Sequence, residues 1–437
     1  MEQINAVKDT IEEEPETAVT SEFAQAFDLL EDTRQNIFLT GKAGTGKSTF
    51  LKYFRENTKK QIVVVAPTGV AALNVQGQTI HSLFRFAPRF IDQSTIKYDR
   101  RKIFKEMELL VIDEISMVRA DIFDGIDRFL QLARKNKEPF GGVQICVIGD
   151  LLQLPPIISN EEKEFFAQYY DSPFFFATRA YKNADFKTIQ FSTIHRQNDA
   201  EFIHILNSIR SGNCDKASLA ILEKRVNPKV TPAQGTLVLT TTNALAENIN
   251  NSKLAQLATA AHQFEGNLKG EFGLNGARLP SPQQLELKVG AQVMFVKNDS
   301  DGRWVNGTIG IVEALGSEDI KVRVGDTTHK VEEEKWTSLG YEFSEIEGKI
   351  VEKTLGSYTQ FPLMLAWAVT IHKSQGKTLE RVIIDLGNGA FAAGQLYVAL
   401  SRCKTLSGIA LKQPVTRRDI LCDESVIEFM QQIDSTH

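Results

Sequence analysis

The chain has 437 residues, a formal net charge of −5 and ordinary shares of hydrophobic (42%) and charged (24%) residues. This length allows about three domains. The lack of an apolar run of about 18 residues argues against a transmembrane helix, and the acidic start resembles no targeting signal. The four cysteines form no C-x-x-C pair, so buried thiols in a reducing compartment are expected. The net charge does not point to nucleic acid, although an acidic protein can carry a locally basic groove.

Apolar runs separated by helical stretches begin after residue 20. Residues 1–20 hold few large apolar groups and are predicted to form a loose arm, whereas residues 21–30 carry a helical apolar stripe. Buried strands are predicted at 37–40, 62–66, 109–113, 144–149, 236–240 and 381–386. Short apolar runs that alternate with helices are typical of parallel sheets with crossover helices. The sequence therefore predicts an α/β protein with two parallel-sheet domains, the second set of elements beginning near Phe186.

Residues 264–356 have a different texture, with many glycines, alternating valine and isoleucine, and short polar turns. This pattern predicts a small antiparallel β-barrel inserted into the second α/β domain. The predicted boundaries are an N-terminal arm at 1–20, a first α/β domain at 21–178, a second at 179–253 and 357–430, the inserted barrel region at 254–356, and a C-terminal tail at 431–437.

Residues 41–48 read Gly-Lys-Ala-Gly-Thr-Gly-Lys-Ser and match the phosphate-loop pattern G-x-x-x-x-G-K-[ST]. A predicted strand precedes the loop and a predicted helix follows it, which argues against a chance glycine-rich turn. Such a loop wraps a phosphate with backbone N–H groups, and the helix N-terminus adds positive potential. Lys47 can then reach the β- and γ-phosphates of a nucleotide, and Ser48 can hold Mg²⁺. The predicted nucleotide-binding residues of this segment are Gly44, Thr45, Gly46, Lys47, Ser48 and Thr49.

Two carboxylates, Asp113 and Glu114, end the predicted strand at 109–113. Beside a phosphate loop, Asp113 would hold Mg²⁺ directly or through water, and Glu114 would polarise the attacking water as general base. Without that loop, two solvated acids at a strand end would be the simpler interpretation. Gln153 follows the strand at 144–149 and could hydrogen-bond the γ-phosphate, the alternative being a surface amide in a turn that ends in proline.

Arg196 and Arg402 both lie outside the first predicted α/β unit. Each could complete a nucleotide site from across a cleft and stabilise the charge that develops on the γ-phosphate. Taken singly, each arginine could equally form a surface ion pair.

Three segments, 66–72, 77–82 and 369–378, hold small residues and hydroxyls at loop–helix junctions. Such groups, together with backbone N–H donors, suit contacts to a nucleic-acid backbone. His81 and His372 lie in these segments, although a histidine seen alone is more often a core or capping residue.

In their order along the chain, these segments resemble the Pif helicase family of superfamily 1, whose members move 5′ to 3′ on DNA. The segments that carry the resemblance are 41–48, 66–72, 77–84, 111–116, 139–144, 149–156, 194–197, 287–294, 304–308, 369–378 and 395–402. The resemblance covers about residues 20–430.

This resemblance implies two RecA-like domains with ATP and Mg²⁺ bound between them. Gly376 would join the nucleotide site. Gln25 is the nearest candidate for a glutamine that reads adenine, although its spacing departs from the usual pattern. By matching position, the implied catalytic residues are Lys47, Asp113, Glu114, Gln153, Arg196 and Arg402, with Ser48 and Asp113 as metal ligands.

The resemblance also implies a DNA path. It places a small wedge that splits the duplex at about 84–105, where Phe84, Phe86 and Phe90 could equally be core residues. The inserted barrel would be SH3-like and would help to cover the DNA. Lys297 and Asn298 would contact the DNA backbone. The other implied DNA-binding residues are Thr68, Gly69, Val70, His81, Thr370, His372 and Ser374.

The implied function is an ATP-dependent 5′-to-3′ DNA helicase and single-stranded-DNA translocase. Its partners would be single-stranded DNA and duplex/single-strand junctions but no membrane, and the protein would be a monomer in solution that could dimerise on DNA. Family expectations add DNA repair and recombination, telomere maintenance, and action on quadruplexes or RNA–DNA hybrids. A bacterial cytoplasmic, nucleoid-associated location is expected because no targeting signal supports another compartment. Two alternatives stay open: a RecD-like motor subunit of a larger complex, and an ATP-gated single-stranded-DNA-binding protein.

Overall fold

The computed structural model describes residues 20–97, 100–159, 161–197, 199–227, 229–230, 235–272 and 279–435. Residues 1–19 of the predicted N-terminal arm lie outside the described residues. Thr20 is described, and its side chain caps the first helix by accepting a hydrogen bond from Phe23 N. In the described part of the chain, every helix is too short or too polar to cross a lipid bilayer.

The first half of the chain folds around a six-stranded parallel sheet. The elements are α1 (Ser21–Asp32), β1 (Asn36–Gly41), α2 (Lys47–Asn57), β2 (Ile62–Ala66), α3 (Gly69–Asn74), β3 (Gln78–Thr79), α4 (Ile80–Phe84), α5 (Ile103–Glu106), β4 (Leu109–Ile112), α6 (Ala120–Arg134), β5 (Gln144–Gly149), α7 (Lys163–Phe166), α8 (Arg179–Asn183) and β6 (Phe186–Phe191). The strand order is β3-β2-β4-β5-β1-β6. Every residue of β4 and β5 is buried, as expected for central strands covered on both faces.

The predicted boundary of the first domain at residue 178 is wrong. Strand β6 pairs in parallel with β1, from Asn36 opposite Phe186 to Gly41 opposite Phe191. The first sheet therefore extends to residue 191. The apolar run near Phe186 shows that a strand is present, but strand pairing decides which sheet it joins.

The second half of the chain holds the remaining described elements. They are α9 (Ala200–Arg210), α10 (Lys216–Glu223), β7 (Leu237–Thr240), α11 (Asn243–Ala255), β8 (Ala261–Glu265), β9 (Asn267–Gly270), β10 (Gln284–Lys288), β11 (Gln292–Phe295), β12 (Ile309–Leu315), β13 (Ile320–Val324), β14 (Thr327–Val331), β15 (Glu334–Ser344), β16 (Lys349–Gln360), β17 (Leu363–Leu365), β18 (Ala368–Thr370), β19 (Val382–Asp385), α12 (Gln395–Leu400), β20 (Ile409–Leu411) and α13 (Glu424–Ser435). Strands β18, β7, β19 and β20 form, in that order, a second parallel sheet. The prediction of an α/β fold with parallel sheets is confirmed.

The last helix, α13, packs on the first domain and not on the second. Phe429 stacks on Phe176 with ring centroids 4.3 Å apart and also contacts Phe38 and Tyr181. Val426 and Met430 belong to the same core as strands of the first sheet. The predicted assignment of residues up to 430 to the second domain, with a tail at 431–437, is therefore wrong: the helix continues to Ser435, and residues 436–437 lie outside the described part.

Between β7 and β18 the chain forms three antiparallel sheets. Five strands pair in the order β14-β13-β12-β11-β17, three in the order β15-β16-β9, and β10 pairs with β8. The insertion extends to Leu365, because β17 pairs with β11, so the predicted end at residue 356 is wrong. The long β15–β16 hairpin reaches the first domain, where Tyr341 is buried with its hydroxyl beside the Val64 backbone.

The segment predicted as a wedge is divided between core and surface. Phe84 and Phe86 are buried and stack on each other with ring centroids 5.5 Å apart, so both belong to the first domain's core. Phe90 is half-buried and packs edge-on against Phe165 at 4.9 Å and beside Tyr169 at 5.2 Å. Residues 98 and 99 of this segment lie outside the described residues.

Candidate nucleotide site and nucleic-acid interface

The phosphate loop connects β1 to α2. Gly44 and Gly46 have φ values of +82° and +88°, a left-handed conformation that glycine adopts without strain. Lys47 is the first residue of α2, and its Nζ donates to the carbonyls of Gly41 and Lys42 at 2.6 and 3.0 Å. Burial lowers the pKa of Lys47, while the carboxylates of Asp150, Glu114 and Asp113 act in the opposite direction. The ammonium thus lies over the concave loop, as phosphate binding requires.

The flanking hydroxyls differ in exposure. Thr45 is buried and its Oγ1 donates to Lys42 O at 3.0 Å, whereas Ser48 and Thr49 are exposed at the start of α2. Ser48 is therefore accessible to a cation. Gln25 is exposed on α1, unlike the buried residues Phe23 and Ala26, and its contact with adenine stays a prediction.

Asp113 and Glu114 follow β4 directly at the carboxyl edge of the first sheet. Burial raises the pKa of Asp113 to about 7, the neighbouring Glu114 adds to the shift, and Lys47 opposes it. Burial also raises the pKa of Glu114. Glu114 has a φ of +50°, an uncommon conformation for a residue with a side chain and one that concentrates at functional sites. Two adjacent carboxylates beside one lysine, Asp113 buried and Glu114 half-buried, suit a divalent cation, which would offset their mutual repulsion.

A buried polar network crosses from this edge to the second domain. Asp150 accepts from Arg210 Nη2 at 2.9 Å and from Gln153 Nε2 at 3.2 Å. The guanidinium of Arg210 is the largest factor that lowers the pKa of Asp150 against the effect of burial. Tyr397 accepts from Ala43 N at 3.1 Å and lies 3.5 Å from Asp150 Oδ2.

A second contact runs through Gln375, whose Nε2 donates to Glu114 Oε2 at 3.2 Å and to Gln153 Oε1 at 3.4 Å. The sequence analysis assigned no role to Arg210, Tyr397 or Gln375. For Tyr397 and Gln375 the available signal was their position inside the motif segments 395–402 and 369–378. Arg210 lies on α9, outside every motif, and only the tertiary structure brings it to the site.

Arg196 is attached to the first sheet, so the expectation that it lies outside the first α/β unit is wrong. It follows β6, and His195 N donates to Gly44 O at 2.9 Å. A Cβ built on Gly44 would lie 2.6 Å from Arg196 Cβ, so the two backbones are in close contact. The guanidinium reaches the second domain, where Nη1 donates to Ser401 O at 3.3 Å.

Arg402 enters from the second domain, just after α12. It is buried, its Nε donates to Val398 O at 2.9 Å and its Nη2 to Ser401 Oγ at 2.8 Å. Burial lowers the pKa of Arg402 to about 9, and the nearby Arg196 adds to the shift. Among the described residues, neither arginine forms an ion pair with a carboxylate. Two guanidinium groups without carboxylate partners would be stabilised by an anion bound between the domains.

The segments predicted to bind DNA lie at the carboxyl ends of β2 and β18. Thr68 caps α3 by accepting from Ala71 N, Gly69 begins that helix, and Val70 is 43% exposed. His81 is half-buried on α4, and burial lowers its pKa. An exposed turn with free backbone N–H groups at a helix start suits a phosphate.

The counterpart turn after β18 is more enclosed. Thr370 Oγ1 accepts from Lys373 N at 3.3 Å, and the buried Ser374 donates its hydroxyl hydrogen to Ile371 O at 2.7 Å. These two hydroxyls shape the turn here, while His372 is half-buried beside them. Gly376 follows with a φ of +78°.

Lys297 and Asn298 lie in the antiparallel insertion, in the loop between β11 and β12. Lys297 Nζ donates to Glu334 at 2.7 Å, and the Asn298 side chain accepts from Asn306 N at 2.7 Å. Both side chains are thus engaged within the antiparallel sheets.

Two parallel sheets, a phosphate loop on one of them and arginines that converge on that loop define a P-loop nucleotide-binding protein with its site between two domains. A family model described as PIF1-like helicase matches residues 18–219, and one described as DNA helicase Pif1, 2B domain, matches residues 273–315.

Curated relatives agree with these matches. The chain is 32% identical over 429 residues to the ATP-dependent DNA helicase Pif1 of Bdellovibrio bacteriovorus, covering 96% of this chain and 93% of that one. It is 35% identical over 419 residues to ATP-dependent DNA helicase PIF1 of Homo sapiens, covering 90% of this chain and 61% of the longer human protein.

Solved structures show the same relationship. Pif1 from Bacteroides sp in complex with ADP-AlF4 is 39% identical, with a TM-score of 0.88 and coverage of 96% of this chain and 98% of that one. Bacteroides Pif1 bound to ssDNA covers the same shares at 39% identity and a TM-score of 0.71. A third structure is described as DNA unwinding at forked dsDNA by two coordinating Pif1 helicases. It has a TM-score of 0.70 at 39% identity, with coverage of 95% of this chain and 97% of that one.

The chain therefore belongs to the Pif1-like helicase family, as the resemblance in its motifs predicted. It is an ATP-dependent DNA helicase, a function supported by relatives that match nearly its whole length.

Proposed function

We propose that the chain moves 5′ to 3′ along single-stranded DNA and unwinds the duplex at junctions, with ATP hydrolysed between its two parallel-sheet domains. The observation that carries this proposal is the cross-domain contact at the phosphate loop. Glu114 and Gln153 of the first domain touch Gln375 of the second, beside Arg402. A site divided between two domains couples nucleotide state to their relative position.

Within this site, Lys47 and the loop N–H groups bind the β- and γ-phosphates. Ser48 and Asp113 would hold Mg²⁺, which supplies charge stabilisation on the phosphates when bound. Glu114 orients and deprotonates the attacking water, and Gln153 contacts the γ-phosphate. Arg196 and Arg402 stabilise the charge that develops there, which agrees with their burial without carboxylate partners among the described residues.

ATP closes the cleft because Arg402 of the second domain and the phosphate loop of the first both bind the triphosphate. Hydrolysis removes this differential contact, and the cleft opens. Two turns then alternate in their grip on the DNA backbone: 68–70 with His81 in the first domain, and 370–374 in the second. Alternating grip at two sites whose separation changes advances the strand.

The DNA substrates follow from relatives and from the fold. Bacteroides Pif1 has been crystallised bound to single-stranded DNA, and a second structure is described as DNA unwinding at forked dsDNA by two coordinating Pif1 helicases. By analogy, the chain would be a monomer in solution and would pair on forked DNA. We place the wedge at residues 84–105, where Phe90 meets an aromatic surface, and an SH3-like cover in the antiparallel insertion, with Lys297 and Asn298 near the strand. The proposal extends to a bacterial cytoplasmic location at the nucleoid. Its further substrates would be quadruplexes or RNA–DNA hybrids that arise in repair, recombination or telomere maintenance.

The decisive experiment is strand separation of a partial duplex with ATP and Mg²⁺, comparing a 5′ with a 3′ single-stranded tail. We expect unwinding from the 5′ tail alone and none in Lys47→Ala, because that variant loses its main phosphate ligand. Unwinding from the 3′ tail would overturn the direction. DNA-stimulated hydrolysis without unwinding would favour a RecD-like subunit that needs a partner, and DNA binding without hydrolysis an ATP-gated binding protein.

A further inference from the structure

The side-chain amide of Gln375 connects the nucleotide site to the turn that carries the predicted DNA contacts. It donates one hydrogen bond to Glu114 at 3.2 Å and one to Gln153 at 3.4 Å. Gln375 belongs to the second domain, whereas both acceptors belong to the first. One amide therefore bridges the two domains at the residue proposed as general base.

The turn around Gln375 is held together by its own hydrogen bonds. Ser374 N donates to Ile371 O, and Gln375 N donates to His372 O, each at 3.2 Å. A turn with internal hydrogen bonds moves as a unit. A DNA strand that shifts Thr370 or His372 must therefore also shift Gln375.

Glu114, in contrast, is fixed on the first domain. Its side chain is half-buried in the site, its φ is +50°, and its carbonyl accepts from Met117 N at 3.0 Å. The two bonds of the Gln375 amide are already near the outer limit for hydrogen bonds, so a movement of about half an ångström would break them. The position of the turn thus decides whether Glu114 is engaged.

We propose that Gln375 is a positioning residue that restrains Glu114 in the absence of DNA, and that DNA bound to the 370–374 turn releases this restraint. While the amide donates to Oε2, that oxygen has one lone pair fewer to accept a water proton, and its plane is set by the amide instead of by the water. Release turns the carboxylate towards the water. The inference rests on the proposed role of Glu114 and explains how a DNA strand would stimulate ATP hydrolysis.

The test is ATP turnover of Gln375→Met with and without a saturating thymidine oligonucleotide. Methionine keeps the approximate length and volume of glutamine but cannot donate a hydrogen bond. We expect DNA-free kcat to rise about tenfold, as loss of one hydrogen bond to a charged group predicts. DNA-stimulated kcat and the KM for ATP should stay within about twofold, so the stimulation ratio falls. Gln375→Ala should give the same pattern if the methionine variant fails to fold.

Two controls separate this proposal from its foundation. Gln256→Met makes the same change at an exposed glutamine just after α11, outside the motif segments, and should leave the stimulation ratio unchanged. Adding Glu114→Gln to Gln375→Met should abolish turnover in both conditions. If Glu114→Gln alone retains turnover, Glu114 is not the base and the proposed mechanism fails. If Glu114→Gln is inactive but Gln375→Met lowers or does not change DNA-free turnover, the restraint itself is refuted.

Discussion

At the scale of single residues, the site is distinguished by buried polar groups that satisfy one another across two domains. Asp150 is fully enclosed yet ionised, because Arg210 donates to it at 2.9 Å. The hydroxyl of Tyr397 meets the N–H of Ala43 inside the phosphate loop. In a low-dielectric interior such contacts are sensitive to the loss of one partner. Side chains of the second domain therefore help to set the shape of the loop in the first.

Tyr397→Phe should weaken ATP binding with little effect on the chemical step. The change leaves Ala43 N–H without its acceptor, which costs roughly 1–1.5 kcal/mol and corresponds to a rise in KM of up to about tenfold. Steady-state kinetics with saturating DNA would measure this. Tyr181→Phe, a tyrosine packed on Phe175 away from the loop, is the matched control. A large fall in kcat at constant KM would contradict a role in loop shape.

Asp113→Asn should abolish turnover yet stabilise the nucleotide-free protein, and more so at high pH. A carboxyl whose pKa is raised to about 7 in the folded state destabilises the fold as it ionises, between its unfolded value near 4 and about 7. Without Mg²⁺ and nucleotide, we expect a gain of roughly 2–4 kcal/mol at pH 8 that shrinks towards pH 5. Thermal unfolding at pH 5 and at pH 8 would measure this gain in stability. A Tm difference between variant and parent that does not depend on pH would count against the shifted pKa.

At the scale of elements, two elements join a different domain from the one that their position in the sequence suggests. Helix α13 comes after the second sheet but returns to the first domain, where Phe429 joins an aromatic cluster with Phe176 and Tyr181. Strand β6, which precedes the second domain, closes the edge of the first sheet. The two domains are thus connected at both ends of the second one, which limits how they can separate.

Phe429→Ala should destabilise the first domain by about 2 kcal/mol, because it removes a half-buried ring from a packed aromatic cluster. Denaturant unfolding followed by circular dichroism would measure the free energy of unfolding. Phe391→Ala is the control, since Phe391 is 62% exposed and its loss should change stability by no more than about 0.5 kcal/mol. Equal effects of the two substitutions would show that α13 contributes little.

At the scale of the whole molecule, the antiparallel insertion is placed against the first domain by its long hairpin. Tyr341 is buried beside Val64, and Arg55 pairs with Glu352 at 2.6 Å. Exposed ion pairs contribute at most about 1 kcal/mol, so the buried Tyr341 contributes more to this contact than the Arg55–Glu352 pair does. The structure matches Bacteroides Pif1 with ADP-AlF4 at a TM-score of 0.88 and its single-stranded-DNA complex at 0.71.

Binding of single-stranded DNA should be strongly salt-dependent and nearly independent of sequence. Contacts to about five phosphates would make affinity fall roughly a hundredfold between 50 and 200 mM salt. Thymidine and mixed-sequence oligonucleotides should bind within about threefold of each other, because backbone contacts carry no base information. Fluorescence anisotropy would measure both quantities. A shallow salt dependence with a preference for one sequence would instead indicate recognition of bases.

The local chemistry of the site could be predicted from the sequence alone. The phosphate loop, the strand that ends in Asp113 and Glu114, and the alternation of apolar runs with helices depend on neighbours within a few residues, so they can be read from the chain. The parallel sheets were predicted in this way, whereas the family and ATP-dependent helicase activity were predicted from the resemblance that the ordered motifs carry. Side-chain burial could not be predicted in this way, which is why Phe84 and Phe86 stayed undecided between wedge and core.

The long-range pairings, in contrast, are visible only in the folded protein. Strand β6 joins the first sheet, α13 returns to the first domain, and Arg210 reaches Asp150 across 60 positions of chain. Such contacts depend on which surfaces meet after folding, and no local pattern encodes them. The same reason explains Gln375: its motif marked the turn, but its contact with Glu114 arises because two separately folded sheets bring their carboxyl edges together.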